Sequence, residues 1–181
     1  MIAGLLVLGA FVFGGVDQYL GSFPSLQWGA SVSLLSAPWL LIALVAGWTQ
    51  RDARRGALLG LSATYAALLG YMLMTLSPIE EARLTWTTIS GFCRSEAPVL
   101  IGGLMTGPLF GWFGHRWHVA RAWPGAVITA AAFCLEPLAE SAARPYVITS
   151  TPVRHAEIAA GIVMIGYVLV TAARGHQHRP R

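Results

Sequence analysis

Six apolar blocks, each about as long as a bilayer core is thick, follow one another along this chain with only short polar breaks between them. A backbone in hydrocarbon has no water to bond. Each block must therefore satisfy its own amides, and a helix does so within one segment. The blocks cover about residues 2–20, 30–48, 56–76, 97–114, 123–138 and 155–173. They predict an all-α fold, a polytopic transmembrane bundle of six helices in a single domain, residues 1–173, followed by a basic cytoplasmic tail, 174–181. Charge points the same way. Only 11% of the residues are charged, whereas a water-facing domain carries about 25%. The first block has no basic flank before it and no small-residue cleavage site after it, so it reads as a retained helix.

Arginine placement sets the expected orientation. All twelve basic residues are arginine. Arg51, Arg54, Arg55, Arg116, Arg121, Arg174, Arg179 and Arg181 fall on one side of the predicted membrane, and Arg83, Arg94, Arg144 and Arg154 on the other. The richer side is cytoplasmic by the positive-inside rule, which predicts N-in/C-in. Trp28 and Trp86 outside, and Trp48, Trp112, Trp117 and Trp123 inside, form the expected interfacial belt. The arginines are scattered over loops, so the net charge of +4 does not predict nucleic-acid binding. The absence of lysine, with much Ala, Gly and Leu, suggests a GC-rich bacterial genome and hence a bacterial plasma membrane. Cys93 and Cys134 read as unpaired structural thiols.

Small residues recur at helical spacing. Gly103, Gly107 and Gly111 form a doubled GxxxG stripe on segment four, and Gly56 and Gly60 begin a similar run on segment three. Glycine lets helix backbones approach closely, which holds helices together in lipid. The stripe serves packing within the bundle or docking of another membrane protein, including a second copy. Pro38 and Pro108 each remove a backbone donor and can kink a helix.

Ionisable residues at membrane depth are expensive and usually face the bundle interior. Asp17 and Glu136 are the two singled out here, both near the outer ends of their segments. Glu140 shares a helix face with Glu136. These acids, with Gln18, Tyr19 and Tyr71, predict an outward-facing polar pocket, and Arg94 can pair with one of the acids. Alternatively, the same residues are interfacial and reach for water. Glu80, Glu81 and Arg83 invite comparison with intramembrane CAAX-type proteases, but the arginine comes too early and the histidines lie at the opposite face. The pairs His115/His118 and His176/His178 have no evident carboxylate or thiolate partners, so no metal site is predicted. No nucleotide-binding, nucleophile-elbow or dinucleotide motif is present, so neither a cofactor nor an enzymatic role is predicted.

Three stretches carry a resemblance: Phe13-Gly14-Gly15-Val16-Asp17-Gln18-Tyr19-Leu20, Ser36-Ala37-Pro38-Trp39-Leu40 and Ala57-Leu58-Leu59-Gly60-Leu61. Together they resemble a family of small actinobacterial multi-pass membrane proteins of unknown function, the DUF6518 group, most strongly over the first 75 or so residues. The layout is also similar to the substrate-binding S components of energy-coupling-factor transporters. That resemblance implies six helices, an outward pocket closed by external loops, and a partner docked through small residues of the first helix. Ala10 and Gly14 are small and four apart, but the family's alanine pair lies nearer the cytoplasmic end. The leading expectation is a subunit that binds or transports a small molecule and depends on a partner or an ion gradient for energy. The alternative is a non-catalytic interaction subunit that docks through Gly103, Gly107 and Gly111.

Overall fold

The computed structural model of the protein describes residues 2–23, 27–80, 82–143 and 150–177, and the side chains of all these except 27, 139–143 and 174–177. Regular structure among the described residues is wholly helical. The helices are α1 (Ile2–Gly21), α2 (Gln27–Ser33), α3 (Ala37–Trp48), α4 (Ala53–Thr75), α5 (Trp86–Ser95), α6 (Ala97–Ala120), α7 (Pro124–Ala143) and α8 (Thr151–Gln177), with a single 3-10 turn at Pro78–Glu80. Four of them are long and apolar enough to cross a membrane: α1, α4, α6 and residues Thr151–Ala173 of α8. The apolar parts of α3 and α7, Ala37–Trp48 and Pro124–Leu138, are shorter.

Local chemistry sets the boundaries. Asp52 caps α4, accepting from the Arg55 amide at 2.9 Å, so the helix starts before the apolar run does. Thr85 and Thr88 form a reciprocal capping box at the start of α5. This helix falls in a stretch that reads as loop on hydropathy, because α5 is short and lies on the surface, with Trp86 81% exposed. Segment four stops being apolar at Gly114, yet α6 continues to Ala120. Polar residues end a hydropathy block without ending the hydrogen-bond ladder. Arg121 then takes a left-handed conformation, φ 52°, and the Ala122 amide folds back onto the Arg116 carbonyl. The second segment is two helices, not one. Pro38 has no amide to offer the Leu34 carbonyl, so the ladder of α2 cannot run on into α3.

α4 lies at the centre. It packs α1 on one side and α6 on the other, α3 lies against both α4 and α6, and the antiparallel α7–α8 pair leans on α3 and α6. Small residues make these contacts close. Ala10 joins Ala46, Ala63 and Ala67 in a buried cluster. A Cβ on Gly14 would come within 1.9 Å of the Ala67 carbonyl oxygen, and one on Gly111 within 2.4 Å of that of Gly56. Gly60 meets Gly107 in the same way, and Gly103 faces Leu68 and Thr64. The glycine stripe of α6 is therefore covered by α4 of its own chain and is not presented to a partner.

Large apolar residues point outward instead, including Met105 and Val163, each 70% exposed. A water-soluble protein does not display such a surface on every side, whereas hydrocarbon accepts it. The four long apolar helices and this surface suit a multi-pass membrane protein.

Candidate functional site

The two singled-out acids meet the first turn of the same helix, α3, through different groups. Glu136 reaches it from α7. Its carboxylate accepts the backbone amides of Ser36 and Ala37, the latter at 2.7 Å. The first-turn donors of α3 are then satisfied. The Ser36 side chain makes no cap, Pro38 has no amide, and the Trp39 amide bonds the Ser36 carbonyl at 3.1 Å. The negative carboxylate also complements the positive end of the helix dipole. Glu136 is thus a tertiary cap, and both of its oxygens are occupied.

Asp17 of α1 is only 4% exposed. The Trp39 indole N–H is the side-chain donor that acts on its carboxyl group. The other oxygen, Oδ2, is buried and has no hydrogen-bond partner. Leaving such an acceptor unmade costs about 1–3 kcal/mol. Around it runs a chain of aromatic rings. Phe13 meets Trp39 edge-on at 5.5 Å, Trp39 meets Tyr71 edge-on at 6.1 Å, and Tyr71 meets Phe92 of α5 at 6.1 Å. Gln18 donates to Glu80 at 3.2 Å, tying α1 to the 3-10 turn. The charges of Glu96, Asp17 and Glu80 all act on the Tyr71 phenol.

The structure thus gathers Asp17, Gln18 and Tyr71 and adds Trp39, Glu80, Glu96 and Phe92. It does not bring in the others. Tyr19 is 42% exposed and pairs with Phe23. Arg94 is exposed on α5. Glu136 is engaged as the cap, and the Glu140 side chain lies outside the described residues. Among the described residues no three His, Cys, Asp or Glu side chains are placed to hold a metal ion.

Sequence reading does not single out Trp39, although a signal was available. A tryptophan inside an apolar segment must find an acceptor for its N–H, and Asp17 is the nearby acid. Glu157 is a second omission. It lies within the sixth apolar block and is 4% exposed in α8.

The far end of the bundle is differently built. His115 Nδ1 lies 3.1 Å from the Gln50 carbonyl, joining α6 to the α3–α4 turn, and His118 stacks edge-on against Trp48. Two apolar crevices are present, the first of them reaching Phe13. One, of about 300 Å³, is walled by Leu5, Leu6 and Gly9 of α1 and Leu41, Ile42 and Val45 of α3. The other lies beside Trp117, Val163 and Tyr167.

No protein family matches the chain, and neither does any curated protein or solved structure.

Proposed function

We propose that the protein is a non-catalytic subunit of a bacterial plasma membrane that binds a small molecule, for transport, in a pocket reached from outside at Asp17. One observation carries this reading. A carboxyl group inside the bundle keeps one buried oxygen without a hydrogen-bond partner. Intramembrane acids of that kind mark substrate or ion pathways.

In this reading the chain crosses six times, N-in/C-in. α2 and α3 together make the second crossing, and the 20 residues of α7, about 30 Å long, make the fifth. α3 has 12 residues and is about 18 Å long, so with Trp48 at the inner interface its capped end lies inside the hydrocarbon core. Broken spans of this kind place backbone at binding depth in transporters. The likeness to S components belongs to the same proposal, with energy supplied by a partner or a gradient. Partner docking through the α6 glycines is not part of it, because α4 covers them.

The test is extraction of the purified full chain in nanodiscs, followed by mass spectrometry of what it releases. A small molecule retained by the wild type and lost from Asp17→Asn is the expected result. Equal retention by both would remove Asp17 from the site.

A further inference from the structure

We propose that the ligand at this site is a small organic cation, an amine or quaternary ammonium, held by the Asp17 carboxylate against the rings of Trp39 and Tyr71. This rests on the pocket reading above and names its ligand class. Charge favours a cation. The Gln18–Glu80 hydrogen bond holds Glu80 beside the Asp17 end of α1, Glu96 acts with both on Tyr71, and among the described residues none of the three is ion-paired. A partly desolvated site of that sign attracts cations and repels carboxylates and phosphates.

The free oxygen favours the same ligand. Asp17 Oδ2 is buried and unpartnered, and an ammonium supplies the charge, or the N–H donor, that it lacks. The wall suits an organic cation. Phe13, Trp39, Tyr71 and Phe92 form one aromatic chain beside the carboxyl group. Aromatic rings with an acid are the recognised means of holding an organic ammonium, and tryptophan is the strongest of them. The same wall disfavours a hard metal ion, which needs about six oxygen ligands where the rings offer none. Access from outside passes Phe92, whose helix α5 otherwise makes few contacts with the bundle.

The experiment is calorimetric titration of the full chain in nanodiscs with choline and phenethylammonium. Their neutral counterparts, 3,3-dimethylbutan-1-ol and 2-phenylethanol, and the anion acetate are titrated alongside. At least one cation is expected to bind at least tenfold more tightly than its neutral counterpart. Asp17→Asn, which keeps an acceptor for the Trp39 indole, should weaken that binding at least tenfold. Trp39→Leu should weaken it by about three- to thirtyfold and Trp39→Phe by less, as loss of a cation–π contact requires. Thermal unfolding of each variant confirms that it is folded. Glu96→Gln, made outside the spans, should weaken binding two- to threefold at low salt and hardly at all at high salt.

Equal binding of the neutral counterparts, tighter binding of acetate, or undiminished cation binding by a folded Asp17→Asn protein would overturn the proposal. If no cation binds while extraction recovers a neutral or anionic molecule whose retention needs Asp17, the ligand class is wrong and the pocket stands. If neither cation nor any extracted molecule is retained, both readings fall. In that case Asp17 carries no more than a proton.

Discussion

Replacing Glu136 by alanine removes the tertiary cap from the first turn of α3. Two amide-to-carboxylate hydrogen bonds are lost, from Ser36 and Ala37. Hydrogen bonds to a charged group contribute about 1.5–3 kcal/mol each, and the dipole term adds about 0.3–1. Part of this is recovered. Ser36 is exposed, toward lipid in the six-span reading, so its amide is re-bonded only through a hydroxyl or a local 3-10 adjustment of the backbone. Ala37 is 1% exposed, so its amide remains buried and unbonded. The net expectation for Glu136→Ala is a loss of about 2–4 kcal/mol, and for Glu136→Gln, which keeps one neutral acceptor, about 1–2. Ser36→Ala alone should change stability by less than about 0.5 kcal/mol, because its hydroxyl makes no cap. Denaturant unfolding of the purified protein in mixed micelles measures the first quantity. Amide exchange at Ala37, expected to quicken about tenfold or more in Glu136→Ala, places the damage. An alanine variant within about 0.5 kcal/mol of wild type, with Ala37 exchange unchanged, would refute the capping role and the broken second span built on it.

Gly111→Ala and Gly102→Ala separate packing from position on the same helix. A Cβ on Gly111 meets the Gly56 carbonyl oxygen at 2.4 Å and a Cβ on Gly102 meets nothing within 4 Å, so the first should cost about 1–3 kcal/mol or more and the second almost nothing in the same unfolding assay. Cys93 is exposed on α5, so a membrane-impermeant maleimide should label it in intact cells of a Cys134→Ser background; labelling only in inverted vesicles would reverse the topology. Phe92→Ala removes the ring that covers Tyr71, and it should speed ligand release in stopped-flow chase by about tenfold while leaving unfolding stability nearly unchanged, since α5 packs lightly. Unchanged release would mean that ligand reaches Asp17 by another route.

The apolar blocks gave the long helices because membrane depth leaves a segment no other way to bond its backbone. The same reading failed where hydropathy and hydrogen bonding part company. The second block looks continuous, since Ser36 and Pro38 barely lower its apolar character, yet one missing amide divides it. α5 is invisible to a window tuned to crossings and is specified by a pair of threonines instead. The small-residue stripe announced close packing, but which helix it met depended on the order in which the helices assemble around α4. A stripe that fits a foreign helix fits a neighbouring one equally well.

Asp17 and Glu136 show the same limit more sharply. Asp17 and Glu136 look alike in sequence, each an acid near the end of an apolar block, and a single pocket is the simplest arrangement for both. Only the partners of each oxygen tell them apart. Glu136 has two backbone donors aimed at it because Pro38 interrupts a helix across the bundle, about 100 residues away in sequence. It is committed to the fold, and its loss should be read first as instability. Asp17 has one donor, from a tryptophan that itself needs an acceptor, and a second oxygen that nothing in its surroundings satisfies. A protein gains no stability from an unpaired buried oxygen. Asp17→Asn should therefore leave unfolding stability nearly unchanged or raise it while ligand binding falls. That opposite movement of stability and binding distinguishes a site residue from a structural one, and Glu136→Gln should not show it.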